Sequence, residues 1–216
     1  MTRLPATLLL ALACPVLLAQ DPVAVSRFAS DALAGWEQES FSGETRYTVV
    51  RDDGRAVLRA RSDASASGLY REVKVDLQRT PWLNWRWKVE HALDIADQRT
   101  KAGDDFAARV YVVVRYGWAF WQTRALNYVW ASRLAVGTTW PNPYTGKAHI
   151  VAVQSGGDRA GQWVAESHNV LQDYTRAFGE PPEGDIAVAV MTDTDQTGQS
   201  ATAWYADIRF TAQPPD

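Results

Sequence analysis

WLNWRWKVE, residues 82–90, sets Leu83, Trp85, Trp87 and Val89 against Asn84, Arg86, Lys88 and Glu90. Apolar and polar side chains alternate with period two, so one face seeks a core and the other seeks water. That is the pattern of a half-solvated strand. The same rhythm continues in both directions. GETRYTVVRDDGRAVLRARSD (43–63) reads as two strands joined at Asp52-Asp53-Gly54, a strong hairpin signal. SGLYREVKVDLQ (67–78) alternates through Leu69, Val73, Val75 and Leu77 after one slip. FAARVYVVVRYG (106–117) turns Ala108, Val110, Val112 and Val114 inward and leaves Arg109, Tyr111 and Arg115 on the opposite face.

Further along, ALNYVWAS (125–132) and KAHIVAVQSGG (147–157) are short strands separated by the turn-rich GTTWPNPYTG (137–146). QWVAESHNVLQDYTRAFGEPP reads as a strand entering one helix. Val170, Leu171, Tyr174 and Phe178 keep helical spacing, and Gly179 with the prolines stops it. DIAVAVM (185–191) is apolar on both faces, as a central strand is. TAWYADIRF (202–210) alternates to send Trp204, Ala206, Ile208 and Phe210 one way. Many short strands and one or two short helices predict a mainly β chain, an antiparallel β-sandwich of jelly-roll-like form.

The first nineteen residues carry Arg3 and then an apolar run from Leu4 to Ala19 broken by Thr7, which is the layout of a signal peptide. The expected organisation is a leader over 1–19 and a single domain over 20–216, exported to the periplasm or beyond the cell. Cys14 is the only cysteine. The apolar residues that follow it suit a leader interior better than the start of a lipid-anchored chain, and a mature chain without cysteine must be held by its core. Losing Arg3 leaves 21 of the 22 basic residues against 25 acidic ones, with no basic cluster along the chain. That argues against nucleic acid as a partner, and no second apolar run reaches membrane length.

The three histidines, His91, His149 and His168, are not spaced as a zinc pair. No nucleophile elbow, phosphate loop or dinucleotide fingerprint is present. Chemistry-bearing residues fall in three acidic groups. Asp193 and Asp195 lie in TDTDQTG. They are candidate calcium ligands, although Thr197 and Trp204 stand where an EF-hand needs an acidic ligand and its bidentate glutamate, and the same residues also suit a simple Asx turn. Asp104 and Asp105 precede the Val-rich strand, and period two puts Asp105 on the face of Arg109 and Tyr111. Glu166, His168, Asn169 and Asp173 gather at the mouth of the helix, where Asn169 suits a cap and Glu166 with His168 a proton-handling pair. Ten tryptophans complete the set. Trp85, Trp87 and Trp204 belong to apolar faces. Trp118, Trp121, Trp130 and Trp140 lie in or beside irregular segments, either stacking on sugars or covering the sandwich ends.

NWRWKV (84–89), GDDFAARVYVV (103–113), LNYVWAS (126–132), PNPY (141–144), WVAESHNVLQDYTRAFGEPP (163–182) and AVMTDTDQTG (189–198) together resemble the family of exported bacterial proteins called domain of unknown function 3047. His168 departs from that pattern, which would place an arginine between the glutamate and the asparagine. The resemblance implies export and one β-rich domain and brings no activity. It suggests that the acidic pairs, Trp130, Asn142, Glu166, Asn169 and Asp173 form one neighbourhood. The expectation is therefore a non-catalytic module binding a glycan or another small envelope ligand. Trp130 and Trp140 would serve as platforms, and Asp104, Arg109, Asn142 and Glu166 would hold hydroxyls. The alternatives are a glycoside hydrolase or lyase using paired carboxylates, and a structural envelope protein that recruits a protein partner.

Overall fold

The computed structural model describes residues 21–117 and 123–215; the expected leader, Trp118 and Trp121 lie outside the described residues. The strands are β1 (Val23–Ala24), β2 (Glu37–Ser42), β3 (Arg46–Asp52), β4 (Arg55–Asp63), β5 (Ala66–Val73), β6 (Trp82–Val89) and β7 (Phe106–Arg115). They continue as β8 (Thr123–Ala131), β9 (Thr139–Pro141), β10 (Ala148–Ser155), β11 (Val164–Asn169), β12 (Asp185–Asp193) and β13 (Ser200–Thr211), with helix α1 (Val170–Phe178) between β11 and β12.

Two sheets face each other, giving the mainly β, jelly-roll-like sandwich that the alternation implies. One sheet runs β11-β6-β13-β4-β3, with β1 paired to the far half of β13; the other runs β2-β5-β12-β7-β8-β10-β9. Neighbours are antiparallel except β8 and β10, which run parallel. β12 lies between β5 and β7, as its two apolar faces require. The core between the sheets holds Leu83, Trp85, Trp87 and Val89 of β6 against Val110, Val112, Leu126, Tyr128 and Trp130 of β7 and β8, all at most 1 % exposed. Asp53 and Gly54 both take positive φ at the β3–β4 turn, the geometry a two-residue hairpin needs. Asn169 caps α1 by accepting from the Gln172 amide, and Gly179 ends it in the left-handed region.

Two bulges change what alternation implies. In β13 the register slips by one residue between Ala206 and Arg209, with Asp207 at φ 55°. An extra residue moves every later side chain to the other face. Ile208 and Phe210 therefore point into the core with Ala203 and Tyr205, whereas Trp204 is only half-buried, on the outer face. The expectation that Trp204 is core is thus corrected. In β7 the extra residue falls between Phe106 and Arg109, opposite Met191 and Asp193 of β12. Ala107 and Ala108 both enter the core, and Phe106 joins Arg109 on the outer face, where the guanidinium lies 4.3 Å from its ring centroid.

Asp207 tests the β13 bulge. Its contacts to Arg55 at 3.8 Å and Arg86 at 3.9 Å are exposed and weak, so conformation dominates the effect of replacing it. Asp207→Val, which disfavours positive φ, is expected to lose about 1–2 kcal/mol in urea unfolding. Asp207→Gly is expected to stay within about 0.5 kcal/mol of the parent or to rise above it.

Candidate functional site

Arg109 lies on the outer face of the seven-stranded sheet and is 2 % exposed. Its Nε donates to Asp193 Oδ1 at 2.7 Å and its Nη2 to Asp193 Oδ2, a two-point fork. Nη1 reaches Tyr111 Oη at 3.1 Å and Asp104 Oδ1 at 3.5 Å, and Nη2 also donates to the Asp104 carbonyl. Asn142 donates to the other Asp104 oxygen at 3.1 Å. Burial pushes the Asp193 carboxyl up to about 7 against the opposing pull of Arg109, and it raises Asp104 in the same way. Burial works against the charge of Arg109, yet the carboxylates around it outweigh burial and hold it cationic. The β7 bulge breaks the expected face-sharing of Asp105 with Arg109: Asp104 is the residue that meets the guanidinium.

Asp105 is fully buried and turns to the TDTDQTG loop. Its carboxylate accepts the Thr197 amide at 2.7 Å, the Thr197 hydroxyl at 2.7 Å and the Gln196 amide at 3.2 Å. The loop closes with Gly198 N donating to Thr194 O at 2.9 Å. Asp195 accepts from Gln196 Nε2 at 2.6 Å. Oxygens of Asp105, Asp193 and Asp195 lie within 4.8 Å of one another, near enough to share a cation. The donors already there do the work a calcium ion would do. Arg109 neutralises Asp193, and loop amides fill Asp105, so the set fits a turn pinned by a carboxylate better than a calcium cage.

Glu166, His168, Asn169 and Asp173 are together, at the lip between the sheets where β11 meets α1. His168 Nε2 is 3.8 Å from Glu166, and its Nδ1 is 3.6 Å from Asp173. Gln154 and Trp87 donate to Glu166 at 2.8 and 3.3 Å, and Tyr128 donates to Asp173 at 2.9 Å. The imidazole stacks on Tyr128 with centroids 4.8 Å apart and lies 5.6 Å from Trp85. Burial alone would drive His168 neutral, but the Asp173 and Glu166 carboxylates flanking it prevail and hold it at about 9. A glycosidase needs open space between its acid and base for the scissile bond. Here the imidazolium fills that space.

The expected single neighbourhood is therefore two groups. Asp104, Asp105, Arg109, Asn142, Asp193 and Asp195 meet at one end of the seven-stranded sheet, beside Trp140. Trp130 and the Glu166 group lie on its inner side and lip, and no hydrogen bond or ion pair joins the two groups among the described residues. Neither expected platform presents a ring to solvent. Trp130 is 1 % exposed, packs on Trp87 and donates to Gly156 O at 3.0 Å; Trp140 is 5 % exposed against Phe106. The small size of Ala152 and Ala131, which share its cluster, lets Trp140 sink into the sheet surface.

Two partly exposed tryptophan rings instead share the outer face of the six-stranded sheet. Trp163, just before β11, and Trp204 of β13 flank Lys88, whose Nζ lies 5.2 and 4.6 Å from their centroids. Asp52 accepts Lys88 Nζ at 2.6 Å and Trp163 Nε1 at 2.7 Å, locking the pair in place. Two depressions adjoin this row, about 210 Å³ beside Trp163 with Arg55 and Arg86, and about 230 Å³ beside Trp204 with Arg59 and Thr202. Sequence reasoning missed Trp204 because the Asp207 bulge hides its phase. Trp163 carried a signal, since Val164 after it is apolar and strand alternation turns the tryptophan outward.

These elements fall within residues 34–209, the span matched by the family described as Protein of unknown function (DUF3047). The chain belongs to DUF3047. No curated protein sequence matches it. Solved structures similar to this DUF3047 chain include the enzymatically active domain of bacteriophage CBA120 tailspike protein 4, at 7 % identity and TM-score 0.43 over 88 % of this chain and 21 % of that one. The xyloglucanase domain of NopAA from Sinorhizobium fredii, in complex with cellobiose, gives 9 % identity and TM-score 0.43 over 82 % and 94 %. The mannan-recognising carbohydrate-binding module TmCBM27 gives 10 % identity and TM-score 0.38 over 89 % and 96 %. The DUF3047 chain thus spans about a fifth of the tailspike chain. Among its described residues no helix is long and apolar enough to cross a membrane.

Two outcomes follow for the DUF3047 fold. Arg109→Met leaves buried carboxylates unpaired and is expected to cost about 3–5 kcal/mol in urea unfolding, with part regained on adding Asp193→Leu. His168 is charged in the folded chain and neutral in the unfolded chain between its ordinary value near 6.5 and about 9. Its stabilisation is therefore full below pH ~6.5 and is lost as pH rises through 9, up to about 3 kcal/mol. Melting scans across that window should show this loss, and His168→Gln should flatten it.

Proposed function

We propose that this DUF3047 protein is a non-catalytic glycan-binding β-sandwich of the cell envelope. Its ligand lies across the outer face of the β11-β6-β13-β4-β3 sheet. The observation that carries the reading is the row Trp163–Lys88–Trp204, with Asp52 fixing it and a depression at each end. Rings held rigidly on a sheet, with charged and hydroxyl groups converging beside them, suit a sugar, which offers an apolar face and a rim of hydroxyls. Such a platform loses little conformational entropy when the ligand arrives.

The non-catalytic part rests on the acidic groups. Asp104, Asp105 and Asp193 are buried and bonded to Arg109 or to loop amides, and Glu166 and Asp173 are bridged by His168. Neither group offers two free carboxylates across an open groove. The signal-peptide layout of residues 1–19 supports export to the periplasm or beyond the cell.

Titration calorimetry of the protein against envelope oligosaccharides tests the reading. Trp163→Ala and Trp204→Ala are each expected to weaken binding about tenfold, about 1.4 kcal/mol, with the melting temperature nearly unchanged. Binding that survives both substitutions, or release of reducing ends on incubation, would overturn it.

A further inference from the structure

The sequence shows no basic run, yet the fold assembles one. Arg46 on β3 stands directly opposite Arg61 on β4, and Arg59 follows two residues along on the same outer face. Arg61 in turn lies opposite Thr202 and Arg59 opposite Trp204 on β13. All three guanidinium side chains are exposed, and among the described residues none makes a hydrogen bond or ion pair. Three arginines and a single carboxylate, Glu90, line the depression beside Trp204. Arg55 and Arg86, at the other end of the row, share the one carboxylate of Asp207 at 3.8 and 3.9 Å. The positive patch beside Trp204 belongs to a chain whose formal net charge is −3.

Like charges directly opposite on adjacent strands destabilise a sheet. The Arg46–Arg61 pair with Arg59 beside it is therefore a place where the free protein is improved by an anion. Each guanidinium presents a planar fork of donors that matches a carboxylate at two points. The same depression carries the Trp204 ring, so an anionic group and a sugar face would be met side by side.

We infer that the glycan bound on this face is acidic, a polymer of uronate units whose carboxylates are taken by Arg46, Arg59 and Arg61 while the rings lie along Trp204 and Trp163. This rests on the glycan-binding reading above and narrows it to a ligand class. A neutral glycan would leave the arginine pair uncompensated. A flat anionic bilayer would meet the exposed guanidinium groups but would not enter the depression that holds Trp204.

The test compares a short oligouronate with its carboxyl-reduced, neutral counterpart, titrated into the protein at low and at high salt. The oligouronate is expected to bind about tenfold more tightly at low salt, with the gap closing as salt screens the arginines. Arg59→Gln with Arg61→Gln should abolish that gap, whereas Trp204→Ala should weaken both ligands and leave the gap between them. Arg61→Gln alone should raise the melting temperature of the free protein, because it relieves repulsion with Arg46; a fall would count against the strain argument. Equal binding of the two oligomers overturns the acidic ligand and leaves the glycan reading standing. Binding of neither overturns both. Single-stranded DNA bound as tightly as the oligouronate, and lost in the same arginine variant, overturns the assignment to a sugar.

Discussion

A guanidinium buried against a sheet must be answered by carboxylates, and much of this molecule is arranged around that requirement. Arg109 leaves the outer face of β7 at a bulge, with Phe106 beneath it, Asp193 forked against it from β12 and Asp104 closing over it from the connection before β7. An unpaired charge at 2 % exposure would be intolerable, so the ends of two strands and one connection are held in a fixed relation. The neighbouring Asp105 then turns the other way and pins the 194–198 loop by its amides. Gly103 is part of the same arrangement. A Cβ there would collide with the Asp97 carbonyl, so only glycine lets the 97–103 turn deliver Asp104 and Asp105 to their partners.

The second polar group works on a similar principle with a different cation. His168, set between Glu166 and Asp173 and stacked on Tyr128, ties edge strand β11 to α1 and to the facing sheet. It keeps the sandwich mouth closed in a charged state. Both acidic groups that invite a catalytic reading are therefore engaged by internal partners, one by arginine and loop amides and one by the His168 imidazole. On the outer face of the six-stranded sheet, Asp52 orders Lys88 and Trp163, Trp204 lies against Lys88, and Arg46, Arg59 and Arg61 have no such partner among the described residues.

Much of the fold was legible along the chain. The alternation of residues 82–90 gave the correct inner and outer faces of β6. The Asp53-Gly54 turn, the Asn169 cap and the Gly179 stop were each readable because a few neighbouring dihedrals decide them. The association of Glu166, His168 and Asp173 was legible for the same reason, since they lie within one turn of a strand–helix junction. The pairing of Arg109 was not. Asp105 shared its expected phase, and one extra residue in β7 gave the contact to Asp104 instead. Trp204 was lost in the same way to the bulge at Asp207.

By itself, then, the sequence determined the strand character of the chain, its sandwich class, its turns and its helix, because period, caps and glycine dihedrals are local physics. Tertiary structure alone decided which tryptophans are core and which face water, which carboxylate meets Arg109, and that Arg46, Arg59 and Arg61 stand together. A bulge is set by the register of a partner strand, and a charged patch by lateral pairing of distant residues. Neither leaves a mark in the linear order of residues.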